Sequence, residues 1–253
     1  ADMVLFCVKT RDTADGARTL LPLLKPGASV VSMQNGVANV PRMREAGVDA
    51  LAAVVYVATS MPAPGHLLHA GRGDLVIGEY GARPATGSEG TAAAQASARA
   101  RMVAAWFERA GVPVRLEADL RGELWTKLIM NCAFNAISAL ARSRYGPMID
   151  DPEVRALMRV AIDECVAVAR AEGVPVADAA VHYDAAMRLG ETMREANSST
   201  AQDLASGRPT EIDSLNGYVA RRGQMHGVAT PVNRALATLV RLLERTPHAM
   251  LQG

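Results

Sequence analysis

The sequence predicts an α/β unit followed by an all-α unit. The first is a parallel, doubly wound sheet unit, covering residues 1–118, and the second is a helical domain, covering 119–253. Three observations predict this. Apolar strand-like runs alternate with helical stretches up to Ala118, strand-like runs then cease, and the later segments carry paired helix signals such as Asp151-Pro152-Glu153 at a start and Gly173 at a stop.

Met3–Val8 reads as a fully buried strand. It opens the sequence without a preceding partner, so a segment before it is expected. A helical stretch follows from Asp12 to about Leu24, then the turn Lys25-Pro26-Gly27 and a second strand at Ser29–Met33. Gln34-Asn35-Gly36-Val37 closes that strand. A helix over Asn39–Ala46 leads to a third strand at Leu51–Thr59, and Met61–Gly65 reads as an irregular break. Asp74–Ile77 is a further strand, Ala82–Glu89 a loop, Thr91–Ala110 a helix and Val112–Leu116 a short strand. Such alternation of apolar strands with helices predicts a parallel, doubly wound sheet.

Beyond Ala118, Asp119 is expected to cap a helix running to Leu140. Asp151 and Pro152 supply a cap and a first-position proline for a helix that ends at Gly173. Further helices are expected over Ala177–Arg194, Ser198–Ser206, Thr210–Met225 and Pro231–Arg245, the last capped by Thr230.

The chain has 253 residues, 49% hydrophobic and 21% charged, with a formal net charge of +1. No basic run points to nucleic acid, and no apolar run reaches the length of a membrane span. Cys7, Cys132 and Cys165 lie far apart in apolar contexts and read as reduced core residues of a cytoplasmic protein. Aromatic residues make up 4%, so Ala, Leu, Val and Met must build the core.

Lys127 is the compositional anomaly. The chain has only three lysines (Lys9, Lys25 and Lys127), and Arg supplies the other positive charge. Arg stays charged, whereas a desolvated Lys can give up a proton. Lys127 lies in the apolar run Leu124–Asn135, with Asn131 and Asn135 four and eight residues on. Four helical residues turn about 400°, so the three side chains share one face. The plainer reading is a lysine whose stem lies on apolar surface with its ammonium in water, but two amides on the same face favour a polar pocket. Gln34-Asn35-Gly36 and Lys9 stand at expected carboxyl ends of strands, where ligands bind in α/β sheets, although Asn-Gly is equally a turn dipeptide. Ser198-Ser199 and Thr210-Glu211-Ile212-Asp213 read as helix starts, which leaves Glu211 unexplained. His66 and His69 follow Pro and Gly and lack a third ligand, so no metal site is expected. Gly71-Arg72-Gly73 lacks the later glycine of a dinucleotide fingerprint.

Taken in order, Val8-Lys9-Thr10, Gln34-Asn35-Gly36-Val37, Trp125-Thr126-Lys127 with Asn131 and Asn135, Ser198-Ser199, and Thr210-Glu211-Ile212-Asp213 resemble the ketopantoate reductase (2-dehydropantoate 2-reductase) family along essentially the whole sequence. The resemblance implies an NADPH-binding Rossmann domain, a helical domain and an active site in the cleft between them. It implies Lys127 as the catalytic proton donor with Glu211 beside it. Asn131, Asn135 and Ser199 would bind the keto acid, while Asn35 would lie near the nicotinamide and Lys9 would face the cofactor. A homodimer through the helical domain is a further expectation. The family's Gly-rich fingerprint belongs upstream of Lys9 and is not among these residues. The natural protein is therefore expected to be longer, and NADPH binding to need that segment. β-Hydroxyacid dehydrogenases also pair a helical Lys with an Asn four residues on, and a catalytically silent fragment is a third reading. Arg72, Arg121 and Arg142 are candidates for phosphate or carboxylate contacts.

Overall fold

The computed structural model describes residues 1–81 and 96–246. The chain divides into two compact units, residues 1–124 and 125–253. The loop expected at Ala82–Glu89 and the start of the helix expected from Thr91 lie outside the described residues.

The first unit is a five-stranded sheet in the order β1 (Met3–Phe6), β2 (Ser29–Ser32), β3 (Ala50–Ala63), β4 (His66–Glu79), β5 (Val114–Asp119). Its helices are α1 (Thr13–Leu20), α2 (Asn39–Glu45) and α3 (Ala98–Arg109). Side chains alternate across the sheet. Val30 and Ala50 therefore pack with Ala17 and Met43 on one face, while Val31, Leu51 and Ile77 pack with Ala100 and Val103 on the other. Helices thus cover both faces, as a doubly wound sheet requires.

The sheet is parallel at β1–β2, β2–β3 and β4–β5 but antiparallel at β3–β4. The sheet is thus parallel-dominated, as expected, with one antiparallel pair that the alternation of strands and helices does not announce. Ala63 pairs with His66 across Pro64-Gly65, and a two-residue connection can join only antiparallel strands. Gly65 takes the positive φ of 77° that the turn demands. The supposed break at Met61–Gly65 is thus the end of one long hairpin. At Gly78 a Cβ would collide with the backbone carbonyl of Glu117, so the close β4–β5 approach requires glycine there. Cys7 lies just past β1 and is exposed, not a core residue as expected.

The second unit is all-helical: α4 (Arg121–Ala141, its first turn counted with the first unit), α5 (Tyr145–Asp150), α6 (Pro152–Ala171), α7 (Ala179–Thr192), α8 (Ser199–Ala205), α9 (Asn216–His226) and α10 (Pro231–Arg245). Helix α6 packs against α5, α7, α9 and α10. Trp125, Phe134, Met158, Ile162 and Ile212 are fully buried, each contributing about 1.5–3 kcal/mol or more of burial. Asp151 Oδ1 accepts from the amides of Glu153 and Val154, the cap its sequence predicts. Gly173 ends the helix at φ 67°. Helix α5 was not foreseen.

The start of α10 corrects another expectation. Thr230 Oγ1 is buried and makes no hydrogen bond, so Thr230 is not the cap. The carboxylate of Glu164 caps the helix instead, accepting from the amides of Val232 (2.9 Å) and Asn233 (2.9 Å) and from Asn233 Nδ2 (2.7 Å). An acceptor from another helix satisfies the free N–H groups and meets the positive end of the dipole.

His182 on α7 is buried, and its Nε2 has no hydrogen-bond partner. Burial, with a smaller effect of the Arg170 charge, holds its pKa below the ordinary value. The unfolded chain therefore takes up this proton first as pH falls below about 6.5. Stability present above that pH is lost as pH falls towards the folded pKa. His182→Gln is expected to flatten this loss in a series of thermal melts, and an unchanged slope would contradict it. No helix among the described residues is long and apolar enough to cross a membrane.

Candidate active site

Helix α4 carries three of the candidate residues, Lys127, Asn131 and Asn135. Residues 132–139 are all buried, whereas Thr126, Lys127, Met130 and Asn131 are half-buried and form the open stripe of the helix. Lys127 and Asn131 therefore lie on a face that solvent or ligand can reach, and Asn135, 4% exposed, continues it inwards. Lys127 and Glu211 each have interaction partners.

Asn135 meets the start of α8. Its Nδ2 donates to Ser199 Oγ at 3.5 Å, a long bond. Its backbone carbonyl accepts from Ser198 Oγ at 3.1 Å. Ser198 Oγ also accepts from the amide of Ala201, capping α8. The Ser198 amide donates to Ser138 Oγ, whose hydroxyl donates to the carbonyl of Ser143. This lattice stitches α8 to α4 and leaves Ser199 exposed beside Asn135. The two adjacent serines thus differ: Ser198 is the buried cap and Ser199 is the accessible hydroxyl.

Glu211 is half-buried and stands immediately before a 3-10 turn at Ile212–Ser214. Thr210 Oγ1 accepts from the Ile212 amide, and the Thr210 amide donates to Glu244 Oε1 at 2.7 Å. The turn is held without the Glu211 carboxylate, which is therefore not needed as its cap.

In the first unit, Asn35 follows β2 at the carboxyl end of the parallel strands, beside Gly36 at φ 91°. Beneath it lies a buried polar lattice. Gln34 Nε2 donates to the Val8 carbonyl and to Thr13 Oγ1, and Gln34 Oε1 accepts from Ser32 Oγ. Thr13 Oγ1 donates to Asn39 Oδ1, and Asn39 Nδ2 donates to the Asn35 carbonyl. Gln34 thus belongs to the support, and Asn35 is the half-buried residue on top. A small cavity lined by Ser32, Gln34, Gly36, Asn39, Ala52 and Ala53 opens here. Lys9 is exposed and precedes the turn Thr10–Asp12. Thr13 and Asn39 escaped the sequence reading because Thr and Asn at helix starts pass as caps.

Arg72 is engaged twice by Asp74, at 3.0 and 2.7 Å, and its guanidinium sits 4.1 Å over the Tyr56 ring. Arg121 is held by Asp119 at 2.8 Å. Arg142 lines a groove of about 760 Å3 in the second unit, with Asn197, Gln202, Arg208 and Glu244. That groove contains none of Lys127, Asn131, Asn135, Ser199 or Glu211. Its volume alone does not outweigh the convergent donors on α4. Among the described residues, no group of three His, Cys, Asp or Glu could hold a metal ion.

Residues 1–82 match the family model described as ketopantoate reductase PanE/ApbA, and residues 119–244 match its C-terminal counterpart. A 2-dehydropantoate 2-reductase of Halobacterium salinarum is 37% identical over 97% of this chain and 77% of its own length. One from Vibrio cholerae is 30% identical over 97% of this chain and 79% of its own length. The crystal structure of a PanE/ApbA family ketopantoate reductase from Ralstonia eutropha JMP134 superposes with a TM-score of 0.84 at 47% identity, covering 96% of this chain and 76% of that one. With matches to both halves and relatives at this identity, the chain is an oxidoreductase that belongs to the ketopantoate reductase family.

Proposed function

We propose that the chain reduces a 2-keto acid with NADPH, converting 2-dehydropantoate to pantoate in pantothenate and coenzyme A biosynthesis. The observation that carries this is the polar stripe of α4. Lys127 and Asn131 are half-buried on a helix whose next eight residues are buried, and Asn135 reaches Ser199. Bound NADPH supplies the hydride.

The remaining work falls to side chains. Negative charge grows on the ketone oxygen as it is reduced. The Lys127 ammonium stabilises that charge and passes a proton from Nζ to the oxygen. The neutral amine then regains a proton from solvent. The Glu211 carboxylate favours the charged lysine and accepts from the substrate hydroxyl. Asn131, Asn135 and Ser199 offer amide and hydroxyl donors to the keto acid. Asn35 orients the reacting groups, and Lys9 faces the cofactor.

The test is a substrate panel assayed with NADPH and NADH for keto acids, and with the oxidised cofactors for 3-hydroxy acids. Ketopantoate with NADPH is expected to give the highest kcat/KM. Turnover confined to 3-hydroxy acids would instead place the chain with the β-hydroxyacid dehydrogenases in activity.

A further inference from the structure

We propose that Asn216 is a positioning residue that sets the Glu211 segment against the helix carrying Lys127. The inference rests on the reading above, in which Lys127 and Glu211 act together. Asn216 is the first residue of α9, fully buried, and only the 3-10 turn Ile212–Ser214 and Leu215 separate it from Glu211. Its Nδ2 donates to the backbone carbonyl of Cys132 at 3.1 Å and to Asn233 Oδ1 at 2.9 Å. Cys132 directly follows Asn131 on α4, so the bond from Asn216 grips the reactive helix itself.

The other end of the relay is anchored. Asn233 Nδ2 donates to Glu164 Oε2 and to the carbonyl of Ala161, and the Cys165 thiol donates to Asn233 Oδ1 at 3.7 Å. Asn233 can therefore present only its oxygen to Asn216, which must answer with its NH2 group. That fixes the amide's orientation and leaves Asn216 Oδ1 buried with no hydrogen-bond partner. An orphaned buried oxygen is costly, and an apolar residue would fill the space without that cost. The arrangement makes sense if the two donated bonds are needed to hold the start of α9, and with it Glu211, at a fixed distance from α4.

The experiment is a double-mutant cycle of Asn216→Ala and Glu211→Gln in the full chain, with kcat and KM for ketopantoate, NADPH affinity by fluorescence, and thermal melting. Asn216→Ala is expected to lower kcat about 100-fold, the effect of a misplacement of about 1 Å, with NADPH affinity unchanged. In the Glu211→Gln background the same change is expected to cost less than about twofold, since the distance it sets no longer matters. A kcat for Asn216→Ala within about twofold of the unsubstituted chain, or losses that multiply in the double variant, would overturn the proposal. A purely structural residue would lower the melting temperature and multiply through the cycle. Should Asn216→Ala not fold, Asn216→Ser, which can donate to only one of the two acceptors, is read by the same cycle with the same outcomes. Turnover by the unsubstituted chain, measured alongside, tests the function reading separately.

Discussion

Lys127→Ala is expected to lower kcat for ketopantoate about 1,000-fold while the helical unit stays folded. The side chain is half-buried on the open stripe of α4, so its loss leaves the packed residues 132–139 in place. What is lost is the ammonium that meets growing negative charge and the proton that quenches it. Lys127→Arg is expected to fare nearly as badly, because a guanidinium keeps its charge but cannot release a proton. NADPH oxidation and thermal melting of the variants check this. Near-normal turnover by Lys127→Ala would remove the lysine from the mechanism.

Glu164→Ala is expected to destabilise the helical unit by about 3 kcal/mol, through loss of the helix cap and of the carboxylate that three N–H donors share. Those donors are the amides of Val232 and Asn233 and Asn233 Nδ2. Thr230→Ala is the matched control. Its Oγ1 makes no hydrogen bond, so its removal is expected to cost less than about 1 kcal/mol. Urea unfolding followed by far-UV circular dichroism compares the two. A larger loss from Thr230→Ala would return the capping role to the threonine.

These two residues show where sequence reading succeeds and where it stops. Asp151-Pro152 and Gly173 act on their own backbone within a few residues, and their helix begins and ends as the sequence says. Thr230-Pro231 carries the same local signal, yet the acceptor comes from Glu164, distant in sequence, and nothing in the order of residues announces it. Pro64-Gly65 falls in the stretch that reads as an irregular break, not as a hairpin turn. The antiparallel pairing it creates was missed because alternating strands and helices suggested parallel crossovers throughout. At the site, helical spacing alone placed Lys127, Asn131 and Asn135 on one face. Spacing could not separate Ser198 from Ser199, or Gln34 from Asn35. In each pair one side chain turns inwards to close a buried lattice and its neighbour is left more open, a distinction that only the folded backbone makes.

The central claim is that this chain reduces the ketone of a 2-keto acid. The most direct test is mass spectrometry of the product formed from ketopantoate and NADPH deuterated at the transferable position. Pantoate carrying the deuterium on C2, the carbon of the reduced ketone, is the predicted result. Unlabelled pantoate, or unchanged ketopantoate while NADPH is bound, would contradict it.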